Sequence, residues 1–431
     1  MHRIACGVFI VLLSTPAIAQ TGKVTFTKDI LPIFQESCQE CHRPAGTNYG
    51  GMIAPMSLMT FEEARPWAKS IAKQVTARQM PPWDAALEHM GTFSNERVLA
   101  QDQIDMIARW VEGGTPRGNP ADAPEPKTFE NSGGWMIGEP DLIVPMPEPY
   151  FVSDDVDDLY AAFYVDLTDV ELPEDKWITG FQCKPGSNII HHFNCHLLEA
   201  VDGKLPPTQG FPDTDKGEIA PQGAGQYLGG VSSGTDANMY PPGFARALKR
   251  GSRVTFDIHY HKEPGPGTGV TDMSEIGFSL SDTPPERILG GAGTQFYFNI
   301  NIPPGEKDVK LGPISYTYRT DTDIIGLMPH MHMRGARAKY EAFYPDGTSE
   351  VLLHVPQYDF AWQTVYYFNE FKRVPAKTRL EYTAWYDNSS EMAEVRGFDS
   401  KQTVTFGQKS TDEMMMGFVT SSPVPKEPAG P

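Results

Sequence analysis

Two kinds of residue pattern in this chain could do chemistry: one C-x-x-C-H motif and three short clusters of histidine. Cys38-Gln39-Glu40-Cys41-His42 is the first. Two thiols at this spacing can form thioether bonds to the vinyl groups of a haem, with the adjacent His as the proximal iron ligand. A zinc knuckle would need a second such pair, and none follows. Met80, in the run Arg78-Gln79-Met80-Pro81-Pro82-Trp83, is the candidate for the second axial ligand. The prolines stiffen an extended loop that could hold a thioether against iron. Met52, Met56, Met59 and Met90 compete with it, and a methionine is ordinarily core filler. The expected cofactor here is a covalent haem c held by Cys38, Cys41, His42 and Met80.

Nine of the 11 histidines remain once His2 and His42 are set aside. His191, His192 and His196 share one strand-like segment, His259 and His261 a second, and His330 and His332 a third. His89 and His354 stand alone. Imidazole suits copper and zinc. His-x-His on a strand places both rings on one face, because side chains alternate with period two. His330-Met331-His332 is therefore a ready chelate, and His259-Tyr260-His261 could act likewise. His191 and His192 would face opposite ways unless a bulge or strand end intervenes. His192 with His196 is the alternative that an unbroken strand allows. A lone His is usually a hydrogen-bonded structural residue, but three clusters weaken that explanation. Thr411 to Met416 adds thioethers that suit a copper changing oxidation state, against the usual role of Met in a core.

The elements that must hold these residues change character along the chain. Residues 1–19 read as a signal peptide: a basic start, an apolar run from Ile4 to Leu13, and Ala17-Ile18-Ala19 as a cleavage site. Residues 20–114 read as helical, with Pro66 at a first helical position and Ile104, Ile107 and Val111 on one face. Residues 115–135 form a Pro-rich linker. Beyond it, segments such as 253–260, 339–344 and 379–386 read as strands separated by turns. Two antiparallel β-sandwich domains are expected, at 136–290 and 291–420, with a Pro-rich tail at 421–431. The fold class expected is thus multidomain, a small all-α cytochrome c-like domain followed by two antiparallel β-sandwich domains.

The formal net charge of −19 argues against nucleic acid as a partner. No stretch of the mature chain reads as a membrane span. The expected location is periplasmic or secreted. Cys183 and Cys195 remain as either a disulfide or two buried thiols.

Residues 136–420 resemble the copper type II, ascorbate-dependent monooxygenases, the peptidylglycine hydroxylating and dopamine β-monooxygenase group. The resemblance rests on Ile190-His191-His192, Ile258-His259-Tyr260, His330-Met331-His332 and Asp412-Glu413-Met414, in that order. It implies two copper ions. His191, His192 and His259 would hold an electron-storing copper, and His330, His332 and Met414 an oxygen-activating one. His196 and His261 fall outside the match. The implied activity is hydroxylation of a C–H bond of a small organic substrate with O₂. Electrons would come from an ascorbate-like reductant or a periplasmic redox protein, entering through the haem. A non-catalytic haem/copper electron-transfer or copper-handling protein is the alternative. Where the peptide-hydroxylating enzyme grips its substrate, this chain has Met328, Met416 and Phe418, so an apolar substrate is expected.

Overall fold

The computed structural model describes residues 23–44, 54–129, 134–167, 172–205, 225–232, 234–235, 237–290 and 295–425. The expected signal peptide, and Met52 among the candidate haem ligands, lie outside them. No helix among the described residues is long and apolar enough to cross a membrane.

Local sequence explains the helices. Thr60 and Glu63 form a reciprocal capping box: the Thr60 N–H donates to Glu63 Oε2 at 2.9 Å, and the Glu63 N–H to Thr60 Oγ1 at 3.3 Å. Pro66 sits in a tight turn, Arg65–Trp67, that leads into the helix Ala68–Thr76. The helix Gln101–Glu112 buries Ile104, Ile107 and Trp110. These pack with Phe26, Phe34, Ile71 and Val75 in one apolar core. Val111, expected on the buried face, lies at its margin.

Four principal sheets follow. The first orders the strands Asp158–Asp166, Arg253–His261, Ile190–Leu198 and Gln226–Ser232. The second runs Leu142–Pro145, Glu275–Ser281, Lys176–Lys184, Phe244–Leu248 and Arg287–Ile288, with Asn238–Met239 beside Lys176–Lys184. Inward side chains of these two sheets, among them Phe181, Phe193, Phe256 and Phe278, form one core. The third sheet orders Gln295–Phe296, Met416–Pro423, Thr322–His330 and Tyr366–Val374. The fourth orders Val309–Thr317, Arg379–Tyr386, Gly335–Phe343 and Ser349–Val355. Tyr340, Tyr382, Leu327 and Val355 lie in the core they share. Among the described residues, pairing between these strands is antiparallel except between Arg287–Ile288 and Phe244–Leu248.

The two pairs of sheets are in contact. Phe244, Leu289 and Ile325 form a small core of their own between the two halves. Arg287 donates to Asp323 and to the carbonyls of Ser422 (2.8 Å) and Pro423 (2.9 Å). The helical region is tied in as well. Trp83, Ala85 and Phe93 belong to the core of the third and fourth sheets. Trp83 packs edge-on to Tyr366 at 4.9 Å between centroids, and Phe93 lies 5.2 Å from Phe368. The Ala86 N–H donates to the His354 carbonyl, and the Ser94 N–H to that of Tyr367. The segment thus lies along two edge strands, 349–355 and 366–374. Burying each large aromatic contributes roughly 1.5–3 kcal/mol, and the backbone bonds satisfy groups that an open edge would leave unpaired.

The expected fold class is corrected by this arrangement. The structure is a mainly antiparallel assembly of four principal and two two-stranded sheets with short helices, the longest of those described being Gln101–Glu112. It is not an all-α cytochrome c-like domain followed by two antiparallel β-sandwich domains. Residues read as helical-domain or loop side chains complete a β core, because that core leaves room for large aromatics at its edge.

Asp84 lies in the same docked segment and accepts from the Asp359 N–H at 3.0 Å. Burial raises its carboxyl to about 7 from an ordinary 3.8. The folded protein therefore favours the protonated acid. This stabilisation is full below pH 3.8, shrinks as pH rises, and is lost above about 7. Asp84→Asn should remove that loss. Given the partial exposure of Asp84, the variant should gain about 1 kcal/mol over wild type near pH 8 and nothing near pH 3. Urea midpoints across this range would show it, and identical pH dependence in both proteins would refute it.

Candidate metal centre

Three histidines converge on the first sheet. His191 and His192 lie on strand 190–198, and His259 on strand 253–261, directly opposite His192 in register. The pairing between these strands slips between Ile190 and His192. That bulge lets consecutive residues serve one site, which a regular strand would forbid. One ligand atom from each of the three lies within 4.8 Å of the others. His191 Nδ1 and His192 Nδ1 are 3.4 Å apart.

The surroundings of His259 define its chemistry. Its Nε2 lies 2.9 Å from Asp158 Oδ1, so Nε2 carries the proton and donates. Its Nδ1 is buried and has no hydrogen-bond partner. A buried ring nitrogen with a free lone pair is costly unless something accepts it, and a metal ion would. Tyr160 stacks on the His259 ring at 3.9 Å between centroids and fixes its plane. Burial would raise the Asp158 carboxyl, but the His259 hydrogen bond and the nearby His259, His261 and Lys409 hold it below its ordinary value. Burial, reinforced by the neighbouring histidines, pushes His191 down to about 4 and His192 well below its ordinary value. Both rings are therefore neutral near pH 7, the form that ligates a metal. Three imidazoles with an acidic partner behind one of them fit a first-row transition-metal ion.

The other histidines are placed differently. His196 lies 3.8 Å from Asp257 and 5.4 Å, ring to ring, from Tyr227, and does not join the convergent set. His261 is largely exposed, 3.8 Å from the second oxygen of Asp158. His330 and His332 face each other nearly perpendicularly, 5.3 Å between centroids. His330 Nδ1 is 2.7 Å from Gln363 Oε1, while His332 Nδ1 is buried without a partner. Burial pushes His330 down to about 4 and His332 well below its ordinary value. Glu413 accepts from the backbone N–H groups of His332 (2.9 Å), Arg334 (2.6 Å) and Met414 (3.3 Å), and so ties buried Met414 to His332. Phe360 lies between the two groups, 5.2 Å from His191 and 5.9 Å from His332. Met328 and Met416 are buried, and Met416 pairs with His330 in register.

Asp158, Tyr160 and Phe360 were not singled out from the sequence. The alternation Asp158-x-Tyr160 on a strand beside His259 was the available signal, but it needs the pairing of strands 158–166 and 253–261 to be read.

The C-x-x-C-H segment follows the helix Leu31–Ser37. Gln39 is buried and donates to the Leu58 carbonyl at 3.0 Å, while His42 Nδ1 lies 3.2 Å from the Met56 carbonyl. Burial pushes the Cys38 thiol up to about 12. Met80 is 40% exposed. The helices pack side chain to side chain around Phe26, Phe34, Ile107 and Trp110 rather than as a haem-binding bundle. The expected covalent haem c is therefore withdrawn, since an exposed Met80 is not packed as a buried axial ligand would be.

No family model matches this chain, and no curated protein matches it. Among solved structures, the turret protein of Sulfolobus turreted icosahedral virus has 9% identity and a TM-score of 0.14, covering 66% of this chain and all of that one. A Paenibacillus xanthan lyase has 13% identity and a TM-score of 0.17, covering 72% of this chain and 28% of the lyase. Likenesses this weak support no conclusion about fold or function.

Membership of the copper type II monooxygenases is accordingly corrected, because four short motifs in order find no support from any family model. The haem-fed monooxygenase, its oxidoreductase assignment and the haem/copper electron-transfer alternative fall with it. Each needed paired copper centres and a haem domain. Among the described residues, His191, His192 and His259 form the one group of three or more His, Cys, Asp or Glu whose ligand atoms converge. The expectation of two coppers is thus replaced by one group of residues that could hold a metal ion.

Proposed function

We propose that this protein binds a single first-row transition-metal ion through His191, His192 and His259. The observation that carries this reading is the buried, unpartnered Nδ1 of His259, a residue whose ligand atoms converge with those of the other two imidazoles. Asp158 holds the ring so that this nitrogen, and not Nε2, is offered. Three protein ligands leave a fourth position for a small molecule or anion. His330 and His332 stand across Phe360 from the site, with Met414 held near His332 through Glu413. The basic, apolar and small-residue pattern of residues 1–19 supports a periplasmic or secreted location.

Loading the full-length protein with Zn²⁺ or Co²⁺ tests the site. One tightly held ion per chain is expected, with about three imidazole nitrogens at roughly 2.0–2.1 Å by X-ray absorption. Retention of no ion after gel filtration would sink the reading.

A further inference from the structure

Cys183 and Cys195 sit at the centre of the first two sheets. Cys183 is on strand 176–184, paired with Ile276. Cys195 is on strand 190–198, paired with Phe256 on one side and Gly229 on the other. The strands belong to different sheets, yet both side chains lie in one core with Phe181, Phe193 and Phe256. They are 2% and 0% exposed. Besides burial, which raises the Cys183 thiol, the Cys195 side chain lies near enough across that shared core to raise it further. Both are thiols in this structure. A buried cysteine is ordinarily a small hydrophobe, and chance does not require two of them to meet from opposite sheets.

We propose that Cys183 and Cys195 form an inter-sheet disulfide when the chain folds in the presence of a disulfide-bearing oxidant. One thiolate attacks the oxidant's S–S bond and forms a mixed disulfide. The second sulfur then displaces the oxidant's remaining half. Two S–H bonds are lost and one S–S bond is gained. The two electrons and two protons leave on the oxidant, which departs as two thiols. Burial of Cys183 raises its thiol well above the ordinary value, so exchange is slow once the sheets have closed. The bond therefore forms before or during closure and is shielded afterwards. It fastens the strand bearing His191 and His192 to the opposite sheet. The proposal does not rest on the metal site.

The test is to refold the full-length protein from denaturant in a mixed oxidised and reduced glutathione buffer. It is then denatured without reductant, alkylated, digested and analysed by mass spectrometry. A peptide linking Cys183 to Cys195, lost on reduction, is expected, with neither residue alkylated. The oxidised protein should melt several degrees above the reduced one. That difference should vanish in Cys183→Ala. Alkylation of both residues under every oxidising condition would overturn the proposal. So would cross-links that join either one to Cys38 or Cys41 instead.

Discussion

Replacing His259 with Ala is expected to weaken metal binding at least about 100-fold, because it removes a ligand whose loss exceeds the 10–100-fold cost of disturbing an outer-shell partner. His259 is the ligand most firmly placed by its surroundings. Asp158 binds one nitrogen, Tyr160 covers one face, and the second nitrogen is buried without a hydrogen-bond partner. Asp158→Asn should lie between wild type and His259→Ala, roughly 10–100-fold weaker than wild type. An amide can offer Nε2 either an acceptor or a donor, so the tautomer is no longer dictated. Competition against a chromophoric chelator would measure both variants, with circular dichroism to confirm that the sheets survive. Affinity for Zn²⁺ unchanged in His259→Ala would show that the ion binds elsewhere.

Arg334→Ala should cost about 3–5 kcal/mol of stability, because three acceptors would each lose a hydrogen bond to a charged group, worth about 1.5–3 kcal/mol apiece and less than additive. Arg334 is 2% exposed. Its Nε donates to Asn388 Oδ1 at 2.8 Å, Nη1 to the Thr411 carbonyl at 2.7 Å, and Nη2 to the Asp399 carbonyl at 3.0 Å. The guanidinium also lies over Phe398, 4.1 Å from the ring centroid. One side chain thus holds three loop segments around Glu413. Burial raises the Glu413 carboxyl to about 8, and the neighbouring Arg334 opposes that rise. Alanine would leave buried acceptors bare, and Arg334→Lys should restore only part of the loss because an ammonium cannot reach them as a planar fork does. Urea unfolding would give the difference, and a cost below about 1 kcal/mol would show that the network is solvated rather than buried.

Much of the β region was legible because strand patterning is local. Segments 253–260 and 379–386 fall within the strands Arg253–His261 and Arg379–Tyr386, and 339–344 overlaps Gly335–Phe343 in all but its last residue. The requirement for a bulge at His191-His192 was also legible, since period-two alternation alone demands it, and the register slip is there. The helix Ser390–Arg396 was missed, although Ser389 caps it and Gly397, at φ 77°, ends it in the left-handed region. Tyrosine and turn residues just before it drew the reading toward a loop. What sequence could not supply was distance. Asp158 and His259 are 101 residues apart, and Asn95 and Val365 270 apart. No local pattern encodes such pairings. Short motifs placed in order suggested a family, but two or three residues at a time do not specify how four sheets are joined.

The segment lying along the two sheet edges has a consequence for how the chain is made. Ser94 bonds to a carbonyl 273 residues further on. At roughly 5–20 residues per second, that partner leaves the ribosome on the order of 15–55 s later. Until then Trp83 and Phe93 have no groove to enter, and they are themselves sticky surface on a nascent chain. The third and fourth sheets are closed by a segment that emerges well before them. Assembly of this protein therefore ends by returning to its beginning, and an interrupted translation product would carry those aromatics bare.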